Sequence, residues 1–576
     1  MVDVNAAPSA PALSRTHLVF NADVRSMALD ARPADALAWR DGVIVAVGSQ
    51  AEVAIAAANT GAEVAAVDVG GATVLPGFID AHQHPSYVVL YGGRTRLTPP
   101  GVTDIASLQR ALAAAACTLA PGQWLVAAEW NEALLKERRP PTRAELDDAV
   151  PDRPVAALDY SCHRMVANSR ALELAGIDKS SPDPSGGLIV RGPGGLPNGL
   201  LIERGISRVE SLARASVIAA DAEGFLARLA ELHRQYCAVG VTRIVDAAVP
   251  PDLAQLYRSA ASRGLLTVPT VMMPVSVTGY FETPWDALDG PLTGTTEGLL
   301  TTGPIKLVFD GGQACSLCMS WWQTAGATLR SFALSVRQAS FEPLRIMLAL
   351  QPRLGTSVRT GISMYRREEA LKIVQAVLDR GFAVAVHAMG NDAVDIALST
   401  FEAMGGALHR SGRPRIEHGT FVDRGLVERL AGSGAAVVVQ PDFLRLPLYG
   451  SVVPIPGMPF FPVRWMLDAG VLVAGSSDFP GGAFDPLDAV RSAVARRTVH
   501  GDVFEKEQRI DLHEALMLYT RSAAAAVGCL DRCGTLEKGK RADIVLLDQG
   551  LSPASLSTVR VKATVLGGDV AYGALG

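Results

Sequence analysis

The chain has 576 residues, which is too long for one simple core and predicts a large domain with one or two smaller units. Hydrophobic residues at 49% and charged residues at 19% are typical of a folded globular protein. A net charge of −5 without a Lys/Arg-rich run excludes nucleic-acid binding through a basic patch, and no apolar stretch approaches the roughly 18 residues of a membrane span.

Residues 1–14 are mostly small residues and prolines, without a basic region followed by an apolar one, so we expect a flexible tail and no signal peptide. The seven cysteines are scattered and odd in number, which does not indicate a disulfide framework. Cys315 and Cys318 lack a second pair at zinc-ribbon spacing and are interpreted as structural thiols, although their closeness to Lys306 leaves a thiol near the pocket open. We therefore expect a reduced, cytoplasmic protein.

Strand-like segments occur near both ends of the chain. The segment 17–46 contains the turn signal Arg40-Asp41-Gly42, and a similar pattern returns at 534–548 and 559–565. We predict that residues 15–75 and 530–576 pair into one small β domain around a larger middle.

The middle of the chain alternates short apolar runs with amphipathic helical patterns, such as 366–380 and 423–432. The apolar runs are residues 74–79, 241–245, 266–272, 305–309, 383–386, 415–416, 436–439 and 471–474. Eight parallel strands alternating with helices would close a (β/α)8 barrel over residues 76–529. The segment 91–212 exceeds one crossover connection and contains its own helix at 107–117, so we predict an inserted, cap-like subdomain over the barrel mouth.

The apolar run that begins at Leu75 ends in two histidines, His82 and His84, before Pro85. Side chains alternate between the two faces of a strand, so both imidazoles point the same way and can bind one metal ion. Neutral imidazole is a favoured ligand of zinc and its neighbours. Two histidines satisfied within a turn are the alternative for this motif alone.

Further polar side chains fall on later strands. His387 ends the fifth strand, His418 the sixth and Asp478 the eighth. Barrel enzymes place their active sites at these C-terminal strand ends, so we predict one site for two adjacent divalent metals, where Asp478 can also accept a proton from water. Lys306 begins the fourth strand, where burial predicts a depressed pKa and a neutral amine, unless it points away and pairs with Asp310.

Other motifs extend over about residues 15 to 550 and occur in a characteristic order. They are Pro141-Thr142-Arg143-Ala144-Glu145-Leu146-Asp147, Asp152-Arg153-Pro154-Val155, His163, Asn168-Ser169-Arg170-Ala171-Leu172, Gly186-Gly187, Asn198-Gly199, Glu203, Gln440-Pro441, Asp468-Ala469-Gly470, Gly475-Ser476-Ser477-Asp478 and Gly539-Lys540-Arg541-Ala542-Asp543. With the His-x-His run, this combination resembles the amidohydrolase superfamily, specifically its amidohydrolase-3 branch.

The resemblance implies a distorted (β/α)8 TIM barrel with a small β-sandwich domain built from both termini. It also implies a divalent metal, with zinc expected, at one or two ions per chain. The implied metal ligands are His82, His84, Asp478, His387, His418 and Lys306, the lysine being carbamylated and bridging if the site is binuclear.

The substrate side of the site is predicted from the same motifs. Relatives often read His-Gly-His where this chain has Ser161-Cys162-His163, so one histidine of that pair is retained. We expect His163 either to donate to the substrate carbonyl oxygen or to be a satisfied core histidine. Asn168 and Glu203 complete the predicted substrate-binding set, and Trp321 and Trp322 join it if they face the pocket instead of the core.

These residues together predict a metal-dependent amidohydrolase that cuts an amide-type C–N bond other than a peptide bond. The expected substrate is a small N-formyl or N-acyl compound with an apolar or aromatic substituent, attacked by metal-activated hydroxide with Asp478 as general base and acid. The alternatives are a decarboxylase, another lyase or a deaminase on the same scaffold, and more remotely a metal-free binding protein. We expect no nucleic-acid or membrane partner, and leave a homodimer open.

Overall fold

The computed structural model describes residues 15–92, 94–275, 286–312, 314–338, 344, 353–446 and 452–576. Eight parallel strands in its middle correspond to the predicted series. They are β1 (Phe78–Gln83), β2 (Val241–Val249), β3 (Thr270–Pro274), β4 (Ile305–Val308), β5 (Val384–Ala388), β6 (Arg415–His418), β7 (Ala436–Val439) and β8 (Leu472–Gly475). β4 to β8 are buried over nearly their whole length, as expected of parallel strands covered on both faces.

The eight strands, with two additional short ones, form two five-stranded sheets. In one sheet, β1, β2 and β3 are extended by two short strands, Leu300–Thr302 and Thr296–Glu297, and in the other β4 to β8 lie in sequence order. The backbone N–H of Asp478 donates to the carbonyl of His82 at 2.8 Å between β8 and β1. No continuous ladder joins β8 to β1 in the described chain, so the fold is mixed α/β with two parallel arcs and the expected closed barrel is not seen.

The predicted first strand, 74–79, is in fact two strands. Thr73–Pro76 belongs to the terminal β region, whereas β1 begins at Phe78. Gly77 separates them, and a Cβ there would lie 2.2 Å from Thr242 Oγ1 of β2. Glycine therefore permits the close approach of β1 to β2 at this bend.

The helices lie along and between the strands, and their ends follow local capping rules. The predicted helix at 423–432 is Arg424–Ser433, where the Asp423 carboxylate accepts from the Leu426 N–H at 3.0 Å and Gly434 ends the helix with φ of 66°. Within the described residues, the α-helices are Gln50–Ala58, Pro85–Tyr91, Ile105–Ala116, Arg143–Ala149, Ser169–Leu174, Ser207–Ala238, Pro251–Ser262, Trp321–Gln338, Arg367–Asp379, Asn391–Met404, Arg424–Ser433, Val463–Asp468, Pro486–Ala495, Leu512–Leu518 and Arg521–Val527.

Both termini contribute to the β region beside the arcs. A four-stranded sheet contains Val43–Gly48, Ala36–Arg40, Thr16–Phe20 and Val64–Asp68. A five-stranded sheet contains Asp23–Val24, Thr73–Pro76, Ile544–Leu547, Val561–Leu566 and Asp569–Gly573. Trp39 and Ile44 of the first sheet share an apolar cluster with Val74, Ile544 and Val565 of the second. The pairing of the two chain ends is thus present, and the β-sandwich domain with its predicted boundaries stays a prediction.

The segment 91–212 contains a sheet of its own. Its six strands are Gly187–Arg191, Pro197–Glu203, Arg164–Ala167, Val155–Asp159, Leu125–Trp130 and Thr95–Arg96. Leu108, Leu112, Trp130 and Leu146 pack in a separate apolar cluster beneath it. The turn before Arg164 and the end of the strand at Glu203 carry two of the predicted site residues toward the arcs.

A three-stranded sheet lies between β4 and β5 in the sequence, formed by Leu317–Met319, Val358–Thr360 and Arg353–Leu354. Helix Trp321–Gln338 follows its first strand in the sequence. Among the described residues, no helix has both the length and the apolar character needed to cross a membrane.

Candidate metal centre

His82, His84 and Asp478 come together where β1 and β8 end. One nitrogen of each histidine and a carboxylate oxygen of Asp478 all lie within 4.8 Å of one another. Asp478 Oδ1 is 3.0 Å from His84 Nε2 and 3.4 Å from His82 Nε2. Two imidazoles and one carboxylate form a donor set that fits a divalent transition metal.

Hydrogen bonds join β1 to the loop after β8 close to His82 and Asp478. The buried carboxylate of Asp80 accepts from the Ser477 hydroxyl at 2.5 Å and from the Ser477 N–H at 3.1 Å. Asp478 itself has a positive φ of 53°, an unusual conformation for a residue with a side chain. These contacts fix the distance between the histidine pair and the carboxylate.

The buried carboxylate of Glu417 on β6 stands behind His82. Its Oε2 lies 2.5 Å from His82 Nδ1, and Arg415 donates to both carboxylate oxygens at 2.8 and 2.9 Å. Burial alone would raise the pKa of Glu417, but Arg415 and His82 outweigh it and hold the pKa far below its usual range. A charged carboxylate on Nδ1 leaves Nε2 of His82 as the nitrogen directed at Asp478.

His387 and His418, at the ends of β5 and β6, lie beside the first trio. Their ring centroids are 4.4 Å apart, and the His418 ring is 4.9 Å from that of His82. Gln440 Oε1 lies 2.9 Å from His418 Nδ1 and orients that ring. Burial lowers the pKa of His418 to about 3 and that of His387 well below its usual value, so both are neutral imidazoles suited to metal binding.

Lys306 of β4 completes the predicted ligand set. It is 3% exposed, and burial lowers the pKa of its amine to about 8. The alternative pairing with Asp310 is not found, because Asp310 accepts from the N–H groups of Ser316, Met389 and Gly390, each at 2.9 Å.

Three buried nitrogens show whether these residues fit a metal. Within the part of the chain that the structure describes, no hydrogen-bond partner is found for His82 Nε2, His387 Nε2 and Lys306 Nζ. Buried polar atoms are normally hydrogen-bonded, and unpaired ones indicate a partner that the protein chain itself does not supply. The residues therefore fit a bound divalent cation.

His163 approaches the centre from the inserted segment. Its Nδ1 lies 2.8 Å from Glu203 Oε2, and its ring centroid is 5.8 Å from that of His387. Burial would lower the pKa of His163, but the charge of Glu203 outweighs burial and raises it. Gly312 makes room for the ring, since a Cβ there would lie 2.4 Å from His163 Nε2.

These residues line one cleft. Its polar side contains His82, His84, His163, Lys306, His387, His418 and Asp478. Its apolar side is formed by Tyr87, Ala248, Val275, Val308, Met389, Phe443, Leu446 and Pro480. The cleft thus joins a polar, titratable face to an apolar wall, as small-molecule sites do.

Three residues of the predicted substrate set lie elsewhere. Asn168 is fully buried and caps helix Ser169–Leu174, and its amide also bonds to the backbone of Val150, Arg153 and Val155. Its predicted substrate contact is therefore corrected to a capping role.

Trp321 and Trp322 are likewise outside the described lining of the cleft. They begin helix Trp321–Gln338 and are 51% and 78% exposed. Their predicted substrate contact is corrected because this helix turns both rings outward. Glu203 is fully buried and is not among the described lining residues, but it contacts two of them, the His163 ring and the backbone N–H of Gly312.

Sequence reasoning missed Asp80, Glu417 and Gln440. Glu417 directly precedes His418 and Asp80 lies two residues before His82, so each could have been noticed as a charged residue within an apolar strand. Cys315 and Cys318 are free thiols, and neither lines the described cleft.

Comparisons with known proteins agree with this geometry. The model of a family described as "Amidohydrolase family" matches residues 65–572. The chain is 30% identical to N-substituted formamide deformylase of Arthrobacter pascens over 97% of this chain and 98% of that protein. It is 26% identical to the putative amidohydrolase YtcJ of Bacillus subtilis over 93% and 96% of the two chains.

A solved structure of an uncharacterized metal-dependent hydrolase from Pyrococcus horikoshii has a similar fold, with a TM-score of 0.67 at 21% identity over 93% of this chain and 97% of that one. The fold is thereby shared across a large sequence distance. Given the family match over most of its length, the chain belongs to the amidohydrolase family.

Proposed function

We propose that this protein is a metal-dependent hydrolase that cuts an amide-type C–N bond, other than a peptide bond, in a small molecule. The observation that carries the proposal is the set of unpaired buried nitrogens around Asp478, next to His163 in the same cleft. The proposal includes the distorted (β/α)8 barrel, of which the two parallel arcs would be the halves, and the β-sandwich domain.

His82, His84 and Asp478 would hold one divalent ion, and His387 and His418 a second if two are bound. Zinc is the proposed metal because neutral imidazoles with one carboxylate suit it. When bound, the metal supplies Lewis-acid polarisation of the carbonyl and lowers the pKa of water toward about 7. Lys306 supports a binuclear variant, since a buried amine with a lowered pKa can add to carbon dioxide, lose a proton and give a carbamate.

Asp478 moves the proton in the proposed reaction. Its carboxylate oxygen accepts a proton from the attacking water and delivers it to the leaving nitrogen. Burial would raise the pKa of Asp478, but the neighbouring His82 and His84 outweigh it and hold the pKa well below its usual range. The group is therefore ionised and ready to accept a proton at neutral pH.

His163 stabilises the negative charge that develops on the substrate carbonyl oxygen in the proposed reaction. Its Nδ1–H donates to Glu203, so only the protonated ring retains a second N–H, at Nε2, for the substrate oxygen. Glu203 raises the pKa of His163 and favours this protonated form. We propose that the pair acts as an electrophile toward the carbonyl oxygen, with Glu203 positioning the ring.

The substrate proposed is an N-formyl or N-acyl compound with an apolar or aromatic substituent. Phe443, Leu446 and Val275 give the same cleft an apolar lining. The similarity to a formamide deformylase supports an N-formyl group. The free state of all seven cysteines supports a reducing compartment such as the cytoplasm.

Hydrolysis in ¹⁸O-labelled water tests this function. Protein reconstituted with zinc and bicarbonate is incubated with N-aryl and N-benzyl formamides, acetamides, carbamates and lactones, with Asp478→Asn as the matched variant. We expect amine release with ¹⁸O in the acid product, lost in the variant. No turnover across the panel would contradict the proposal. Conversion of a carboxylic acid substrate to a product that has lost the carboxyl group and contains no ¹⁸O would favour a decarboxylase instead.

A further inference from the structure

Helix Trp321–Gln338 presents its apolar residues outward. Trp322 is 78% exposed, Leu329 70%, Val336 68% and Phe332 60%. The side that faces the protein body is formed by the small residues Ala327, Ser331 and Ser335, together with Leu334, which is partly buried against the core. An ordinary surface helix has the opposite arrangement, with its apolar stripe against the core.

The exposed apolar residues follow a heptad pattern. Trp322, Leu329 and Val336 are seven residues apart, and Ala325 and Phe332 occupy the intermediate positions three residues after the first two. In coiled coils these are the a and d positions, which form a seam against another helix. We name these five residues the helix seam.

The flanks of the helix seam carry no charge. The e and g positions beside it are Gly326, Ala333, Thr328 and Ser335, whereas Arg330 and Arg337 lie farther round the helix. Arg337 pairs with Asp502 at 2.7 Å, and Arg330 donates to the backbone carbonyl of Pro454 at 2.7 Å. A second identical helix could therefore approach the seam without repulsion between like charges at its edge.

The size of the surface also points to a protein partner. The helix seam, extended by Trp321 and the neighbouring Leu354, which is 70% exposed, offers roughly 700 Å² of apolar area, taking about 150–250 Å² for each complete aromatic side chain. The largest apolar patch of a typical monomer is about 300–600 Å². Each partner in a standard specific interface contributes about 800 Å².

We propose that the helix seam is the centre of a two-fold interface with a second copy of this chain, formed by antiparallel pairing of the two helices. An a position of one helix then faces a d position of the other. In one such register Leu329 lies against the partner's Ala325, a large side chain against a small one, and Trp322 lies against the partner's Phe332. The same residues thus serve both sides of the contact, as a two-fold interface requires.

Sedimentation equilibrium of the full chain at micromolar concentration tests the proposal. We expect a dimer for the wild type and a dissociation constant raised about 100-fold or more for Leu329→Glu, because a buried charge at the centre of an interface is costly. Leu174→Glu is the matched control, since Leu174 is 46% exposed on a separate helix, and it should remain dimeric. Near-native circular dichroism and thermal midpoints would show that both variants are folded.

A cross-linking variant tests the geometry without disrupting the seam. The register described above and the next one, in which Leu329 lies against the partner's Phe332, both place the two copies of residue 329 within roughly 12 Å, given the rise of an α-helix and the usual distance between packed helices. Leu329→Cys should therefore be captured as a covalent dimer by a short bismaleimide, whereas Leu174→Cys should not. A monomeric wild type, a dimeric Leu329→Glu variant, or binding of monomeric wild type to phosphatidylglycerol vesicles would each overturn the proposal.

Discussion

Replacement of Glu417 by Gln tests how the carboxylate behind His82 supports the metal centre. The change keeps the shape of the side chain and removes one negative charge. In the structure this carboxylate lies 2.5 Å from His82 Nδ1 and holds Arg415 through two hydrogen bonds. Both partners are buried, so solvent cannot take over either interaction.

The expected effect has two parts. Loss of a carboxylate that supports a metal-bound histidine weakens metal affinity by about 10–100-fold, or roughly 1.4–2.7 kcal/mol. Arg415 also loses its charge partner in the interior, and breaking a buried pair from one side costs about 3–5 kcal/mol of folding stability. The metal-free variant should therefore unfold at a clearly lower denaturant concentration than the wild type.

Competition between the protein and a zinc chelator of known affinity measures the first part, and urea unfolding of the metal-free protein measures the second. Glu145→Gln serves as control, because Glu145 also accepts hydrogen bonds from an arginine but lies in the inserted segment. Zinc affinity within twofold of the wild type in the folded Glu417→Gln protein would refute the proposed role of this carboxylate.

Three further predictions follow from the described contacts. Asp478→Asn should lower kcat by about 10²–10⁴-fold, measured on the best substrate of the panel, and an unchanged kcat would remove Asp478 from proton transfer. Glu203→Gln should lower the pKa of His163, so that the decline of kcat/KM with rising pH begins at lower pH, and an unshifted profile would contradict their coupling. His233, which is not among the described lining residues of the cleft, accepts the Val268 N–H at 3.1 Å, and burial lowers its pKa to about 3. The unfolded chain then binds the extra proton below about pH 6.5, so the free energy of unfolding from urea titration should be roughly 2 kcal/mol lower at pH 5 than at pH 8. A His233→Gln variant with the same pH dependence as the wild type would exclude His233 as its source.

The strand ends that carry the metal ligands could be predicted from the sequence. β5, β7 and β8 are short uninterrupted apolar runs, and His387 and Asp478 lie where such runs stop. The His82–His84 pair was readable because of the two-residue period of a strand. These signals are local, so they can be recognised without knowledge of the tertiary structure.

The residues that support the ligands could not be predicted in the same way. The contact of Glu417 with His82 joins positions 335 residues apart, and that of Ser477 with Asp80 joins positions 397 apart. Their register across the two arcs is set by packing and is not present in any one segment. The break between two strands at Gly77 was missed, because a glycine within an apolar segment does not by itself show that the segment is two strands.

The tryptophans at 321 and 322 illustrate a different limit. Their apolar character indicated a pocket or a core, but the small residues Ala327, Ser331 and Ser335 occupy the inner side of their helix. The apolar character of a residue does not by itself show whether the residue faces the core or an exposed binding surface. Asn168, in contrast, carried a readable capping signal, since it stands directly before a helix whose third residue is Ala171.

Metal content per chain, measured by elemental mass spectrometry on untagged protein purified without chelators, tests the central claim most directly. We expect one or two equivalents of a divalent transition metal, with zinc the main one, and a loss of at least one equivalent in the His82→Asn/His84→Asn variant. Absence of metal in the folded wild type, even after incubation with zinc and bicarbonate, would contradict the account of a metal-dependent hydrolase.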